Sequence, residues 1–229
     1  MGNGFFEAEC PFGGLTGWIP QSGANTSRNF SQAVMLGKTG DFHASADYDP
    51  KETVSCTYKA NEAKAEIPAA GQVLNGWHID SVEVSWTQTD FVSMTVNGHK
   101  HLAGNGDKNC RIYKGSIATA GGFGCPASLG PFSVGTNPVG IRSYSYSVTC
   151  NHEDVLAGDG NHFASDNYDG TETLSIELTG EIEFQAKDGW HLDTDGRTPS
   201  NTTATSKSAT YSKHIIGTAP AGTATAAEE

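Results

Sequence analysis

Hydrophobic and polar residues alternate along Thr53–Tyr58, Trp77–Thr87 and Phe91–His101, the period of half-buried strands. Thr87-Gln88-Thr89-Asp90 supplies a polar break between the last two, so they read as an antiparallel hairpin. Ser85, Thr87, Thr89, Ser93 and Thr95 are unusually many small hydroxyl residues for strands, and they suit a face that meets other protein or water. Further strands are predicted at Arg142–Cys150, Thr173–Phe184, a short piece at Trp190–Leu192, and Ala204–Ile216. Long Leu-, Lys- and Glu-rich amphipathic stretches are missing, which argues against a helical fold.

The pattern also repeats itself. Ala44–Ser55 returns 120 residues later as Ala164–Ser175, with seven of 12 positions identical. Gly76-Trp77-His78-Ile79-Asp80 then returns as Gly189-Trp190-His191-Leu192-Asp193 at an offset of 113, and Lys100-His101-Leu102 as Lys213-His214-Ile215 at the same offset. Matches in one order, separated by a single length change, are what a duplicated unit leaves behind. The predicted fold is therefore all-β: two tandem, duplicated antiparallel β-sandwich or barrel modules, at 28–102 and 141–217.

Three segments fall outside those modules. Residues 1–27 form a Gly-rich arm carrying Phe5, Phe6, Phe12 and Trp18; too Gly-rich for a core of its own, it must dock either on its parent domain or on a neighbouring subunit. Residues 103–140 form a long Gly-rich connection, a length uncommon unless it functions or packs against a partner. The tail, 218–229, has no core-forming content and is expected to become ordered only along another subunit.

The formal net charge is −12, and between Ser147 and Gly196 twelve acidic residues accompany one base, Lys187. Such a surface repels nucleic acid, so a sequence-specific DNA or RNA binder is not expected. Five cysteines at non-equivalent places in the two copies make no even disulfide set, and Cys56 reads as a small strand residue. No secretory signal or 18-residue apolar run is visible, so synthesis in a reducing cytosol is expected, without a membrane span.

Candidate chemistry is sparse. His78/Asp80 and His191/Asp193 each place an imidazole and a carboxylate two apart on a strand, hence on one face, but no nucleophile motif accompanies them. His99 and His101 have the strand spacing of zinc ligands; the second copy keeps His214 alone, and the sequence names no third or fourth ligand. Asp159–Gly170 is oxygen-rich but lacks calcium-loop spacing, and Asx turns explain it more simply. The Gly-rich 120–124 lacks the Lys-Ser/Thr of a phosphate loop. Tyr48-Asp49 and Tyr168-Asp169 look like turns leading into strands. The sequence therefore predicts no enzyme, catalytic residue, metal or cofactor.

The duplicated hairpins at Trp77–His101 and Trp190–His214, with their Ser/Thr-rich strands and the acidic second copy, resemble virion proteins of tailed bacteriophages, of the tail-tube and tail-hub class. That resemblance implies β-sandwiches whose sheets join between subunits into a ring around an acidic bore through which DNA slides, three duplicated chains making a pseudo-sixfold ring. It implies a homo-oligomer in contact with other virion proteins, made in the host cytoplasm. A capsid, decoration or connector protein shares these features. A carbohydrate-binding or adhesion module with Trp77, Trp86, Trp190 and Tyr211 as stacking platforms is a second class of reading, and a hydrolase built on His78/Asp80 ranks last.

Overall fold

The computed structural model describes residues 10–21, 24–62, 64–108, 110–117, 119–120, 128–129, 132–133, 140–179, 184–199 and 205–219. Among them there is no helix. The strands are β1 (Trp18–Pro20), β2 (Asn25–Leu36), β3 (Phe42–Ala60), β4 (Ala65–Glu66), β5 (Val73–Leu74), β6 (Trp77–Thr87) and β7 (Ser93–His101). After the connection's short β8 (Thr119–Ala120), β9 (Ser128–Leu129) and β10 (Phe132–Ser133) come β11 (Ile141–Leu156), β12 (His162–Thr179), β13 (His191–Thr198) and β14 (Ser206–Ile215).

Ten strands form one antiparallel sheet in the order β1-β3-β7-β6-β11-β12-β14-β13, with β2 beside β3 and β5 beside β6. The predicted hairpin is β6–β7, running from Ser85 opposite Ser93 to His78 opposite His99. The strands of both halves lie in this single sheet, because β6 pairs directly with β11, from Ser81 opposite Thr149 to Thr87 opposite Ser143.

The pairings of the two halves match in detail. Arg28 faces Glu52 and Ser31 faces Tyr48; Val148 faces Glu172 and Asn151 faces Tyr168, each displaced by 120. The register shifts at Asn29/Ser31 and Met35/Leu36 recur at Thr149/Asn151 and Val155/Leu156. The shift at Ile79/Ser81 recurs, displaced by 113, at Leu192/Thr194. Asp49 and Asp169 share a left-handed backbone, φ 48° and 50°, so the predicted turns are kinks inside the long strands β3 and β12. Aspartate tolerates that conformation better than most residues.

Alternation places one face of the sheet in the core. Val54, Cys56 and Tyr58 of β3, Val82 and Val84 of β6, Met94 and Val96 of β7, Tyr144, Tyr146 and Val148 of β11, and Leu174, Ile176 and Leu178 of β12 are all buried. The intervening Ser85, Ser93, Thr95, Ser145, Thr173 and Ser175 are only partly covered. The apolar face is roofed by the arm and the connection. Phe12 and Trp18 are buried in the core, Phe12 edge-on to Trp77 at 6.5 Å, and β1 extends β3 from Trp18 opposite Ala60 to Pro20 opposite Tyr58. Of the arm's two expected docking sites, residues 10–20 use their own domain; Phe5 and Phe6 lie outside the described residues. Cys10 and Cys56 form a disulfide with Cα atoms 6.1 Å apart, a pairing not foreseen from cysteine spacing.

The start of the connection also packs on its own chain, as does the start of the tail. Ile112 and Thr218 exchange backbone hydrogen bonds of 2.9 Å, so the tail's first residue is held within the chain rather than by another subunit; 220–229 lie outside the described residues. The buried ring of Tyr113 lies against Gly170 and Gly217, where an added Cβ would come within 1.9 and 2.7 Å of it. Gly170→Ala is therefore expected to cost about 1–3 kcal/mol through overpacking. By thermal denaturation that is a loss of about 2–12 °C in Tm, and an unchanged Tm would mean that Tyr113 moves aside freely.

Candidate functional site

Where the two halves meet, five histidines and four aspartates come together. His78 (β6), His99 and His101 (β7) and His162 (β12) are buried, as is Asp107 from the connection; His152 and Asp154 project from β11. Strand periodicity explains the grouping: His99 and His101 share a face of β7, and His152 and Asp154 share a face of β11. The long strands β11 and β12 run past the end of β6 and bring their outer ends over β7. Gly104 lets the connection approach β12, since a Cβ there would lie 2.0 Å from the His162 carbonyl oxygen. That approach delivers Asp107.

At the centre, the Nε2 atoms of three imidazoles face two carboxylate oxygens. His101 Nε2 is 3.4 Å from Asp107 Oδ1 and 3.3 Å from Asp154 Oδ1. His152 Nε2 is 3.4 and 2.8 Å from the same atoms, and His162 Nε2 is 3.7 and 3.5 Å away. The His101 and His162 rings are stacked with centroids 3.7 Å apart.

Around this centre lies a second set of contacts. His101 Nδ1 donates to Asp49 at 3.0 Å, and His152 Nδ1 donates to Asn167 Oδ1 at 2.7 Å. Asn167 is oriented by its own donation to the Arg111 carbonyl at 2.8 Å. Lys51 pairs with the outer oxygen of Asp154, Ser165 donates to Asp107 at 2.6 Å, and His99 Nε2 stands 3.1 Å from Asp107 Oδ2. Asp80 accepts from His78 at 2.9 Å and from His99 at 2.7 Å.

Burial opposes charge on these imidazoles, yet the carboxylates of Asp107 and Asp154 dominate and push His101 up to about 9 and His152 to about 10. Burial likewise opposes charge on the aspartates, but hydrogen bonds from His101 and His152 hold Asp107 and Asp154 far below the usual carboxylate range. Asp80 falls to about 2, the His78 and His99 hydrogen bonds outweighing desolvation. His162 goes the other way: burial and the neighbouring His101 lower it, and neither of its ring nitrogens has a hydrogen-bond partner.

The predicted His78/Asp80 pair is thus real, but both residues belong to a larger network, whose neighbour Cys110 is a buried free thiol with its sulfur within 4.8 Å of ring nitrogens of His78 and His152; burial pushes that thiol up, away from the thiolate. His191/Asp193 forms the same bond at 2.8 Å on an open edge, the His191 side chain being 79% exposed. His214 bonds Asp169 at 2.9 Å as His101 bonds Asp49. Of the expected oxygen-rich loop, Asp159 caps a tight turn through Asn161, while 162–169 belong to β12. Trp77, Trp190 and Tyr211 are core residues and Trp86 stacks on Tyr144, so they are not the exposed platforms a carbohydrate-binding surface needs. The Gly-rich 121–124 lies outside the described residues.

Sequence reasoning found His99 and His101 and missed Asp107, His152, Asp154 and His162. One signal was legible: His152-x-Asp154 repeats the His-x-Asp spacing of His78 and Asp80 on a second strand. No family model matches this chain, and no curated protein is similar to it.

Proposed function

We propose that this chain is a structural subunit of a viral particle, a bacteriophage tail-tube or hub protein that assembles by continuing its sheet from one molecule to the next. The observation that carries the reading is the β6–β11 seam. In this reading each half is one copy of a four-stranded unit, β2-β3-β7-β6 and β11-β12-β14-β13, and the seam joins the last strand of the first to the first strand of the second. The outward sides of β13 and β2 are the matching edges, at opposite ends of the sheet and without a further paired strand among the described residues. A second copy docked edge to edge in the geometry of the internal seam extends the sheet head to tail, and such a heterologous contact closes into a ring when its rotation allows. Three chains then close a ring of six units.

The offsets of 113 and 120 convert the internal seam into an intermolecular register. Val82 opposite Val148 becomes Asp195 opposite the neighbour's Arg28, a change from an apolar pair to an ion pair. Ser81 opposite Thr149 becomes Thr194 opposite Asn29. His162, stacked on His101 inside the chain, becomes Phe42 over His214, which are 66% exposed for Phe42 and 80% for the His214 side chain. Phe30, Val34, Met35, Leu36 and Phe42 on the exposed β2–β3 ribbon are apolar groups for a neighbour to cover. The hydroxyl-rich face with Glu83 and Glu177 suits a bore along which DNA slides without sticking. A capsid, decoration or connector protein assembling through the same edges is the neighbouring reading.

Light scattering and negative-stain imaging of the purified chain are expected to show rings or stacked rings. Asp195→Arg, which sets like charges opposite each other at every seam, is expected to shift the population to monomers without altering its melting. Adding Arg28→Asp to it restores rings. Monomers at all concentrations in the wild type would sink the assembly reading. Rings insensitive to both substitutions would show that another surface joins the subunits. Portal, terminase and tape-measure genes next to this one would provide the independent check on the virion assignment.

A further inference from the structure

We propose that His101, His152, His162, Asp107 and Asp154 bind one divalent first-row transition-metal ion, with Zn²⁺ as the reference probe. The proposal does not depend on the assembly reading. Three observations carry it.

The donor geometry is that of a coordination shell. The ligating atoms of His101, Asp107, Asp154 and His162 all lie within 4.8 Å of one another, and all six separations between the three Nε2 atoms and the two Oδ1 atoms fall between 2.8 and 3.7 Å. Bonds of about 2.1 Å to nitrogen and oxygen separate neighbouring ligands by about 3.0–3.4 Å at right or tetrahedral angles. Three imidazoles with two carboxylates suit zinc and its neighbours, whereas Ca²⁺ and Mg²⁺ take oxygen-only shells.

The supporting contacts are those that metal ligands need. His101 and His152 each donate Nδ1–H outward, to Asp49 and Asn167, so Nε2 is the nitrogen that faces the centre, where a bound cation displaces its proton. Asp154 is gripped at its outer oxygen by Lys51 and Asp107 is flanked at Oδ2 by His99, so both Oδ1 atoms turn inward, that of Asp107 accepting the Ser165 hydroxyl with one lone pair and keeping the other.

Finally, His162 is the one imidazole of the cluster with neither ring nitrogen hydrogen-bonded. It is 2% exposed and its nitrogens lack partners, a state that buried polar groups rarely adopt. A cation between His162 and the two carboxylates satisfies Nε2. In displacing the ring protons it also takes over from the imidazolium charges the balancing of Asp107 and Asp154, beside which Lys51 is the only lysine or arginine in direct ion-pair contact among the described residues. The ion would tie together β7, the β11–β12 ribbon and the connection. The first half has Gln32, Val34 and Phe42 where the second has His152, Asp154 and His162, so the stoichiometry is one ion per chain rather than two.

The test uses the full chain, stripped with a chelator and titrated with ZnCl₂ against a chromophoric competitor, and separately with CoCl₂ followed by visible absorption. One equivalent is expected to bind, with Co²⁺ giving the d–d bands of a nitrogen- and oxygen-ligated ion. His162→Phe places at this position the residue that the first half carries there, and is expected to weaken binding at least 100-fold. Asp49→Asn keeps a side chain that accepts the left-handed backbone but loses the charge behind His101, and is expected to weaken binding about 10–100-fold. His191→Ala is expected to leave binding unchanged. Circular dichroism reports whether each variant is folded. No uptake by the folded wild type at micromolar metal, or uptake lost in His191→Ala and kept in His162→Phe, overturns the proposal.

Discussion

Deleting residues 1–20 is expected to abolish the folded state. In sequence the aromatic arm is a glycine-rich strap that docks either on its parent domain or on a neighbouring subunit, and the structure builds residues 10–20 into the core of their own chain. Phe12 and Trp18 are 3% and 5% exposed, the Trp18 indole donates to the Glu66 carbonyl at 2.6 Å, and Cys10 is bonded to Cys56 in the middle of β3. Removing a buried Phe or Trp side chain costs about 3–5 kcal/mol, and a disulfide closing a loop of this size contributes about 2–4 kcal/mol. Their combined loss is about 10 kcal/mol, comparable to the whole stability of a domain. Circular dichroism of the truncated chain should show no cooperative melting. A transition within about 5 °C of the full-length protein would return the arm to the role of an intersubunit strap.

The arm illustrates what the sequence could and could not disclose. Strands with one buried face announced themselves, because Val82, Val84, Met94 and Val96 must alternate with Ser and Thr to present an apolar side. The duplicated residues were equally legible, and their shared kinks at Asp49 and Asp169 follow from them. The outer ribbons gave no such signal. All of β2 is exposed, so nothing constrains its pattern, and the outer part of β12 is rich in Asp, Asn and Ser, which reads locally as turns. There, backbone pairing with β11 decides the conformation rather than side-chain burial.

The histidine cluster was hidden for a different reason. Its members come from β3, β6, β7, the connection, β11 and β12, and the β6–β11 seam brings the two halves' share of them together. His99-x-His101 was visible as a pair; the partners that give it meaning are 51 to 61 residues beyond His101, with Asp107 arriving on a loop held in place by the close approach of Gly104. Duplication alone misdirected this part of the reading, since the second half repeats His214 and the His191/Asp193 pair without the ligands. The cluster exists once because each half contributes different strands to the seam.

The same asymmetry makes Glu172 the most consequential single side chain on the other side of β12, and Glu52 its internal control. Both occupy the same place in the repeat. Glu172 is 1% exposed and accepts hydrogen bonds from the Ser116 amide at 2.8 Å, from the Ser116 hydroxyl and from Tyr146 at 2.7 Å, with Lys213 at 3.6 Å. These bonds pin the connection over the sheet, where a Cβ on Gly115 would already collide with the Tyr146 hydroxyl. Glu172→Ala leaves a cavity and strips partners from buried donors, at about 1–3 kcal/mol for each unsatisfied group. The expected total is about 3–5 kcal/mol, or about 6–20 °C in Tm. Among the described residues Glu52 has only Arg28 as an ion-pair partner, at 3.6 Å and itself exposed, so Glu52→Ala should change stability by no more than about 0.5 kcal/mol. Equal losses in the two variants, measured by thermal and urea denaturation, would mean that the connection does not depend on Glu172 and that the repeat position itself sets the cost.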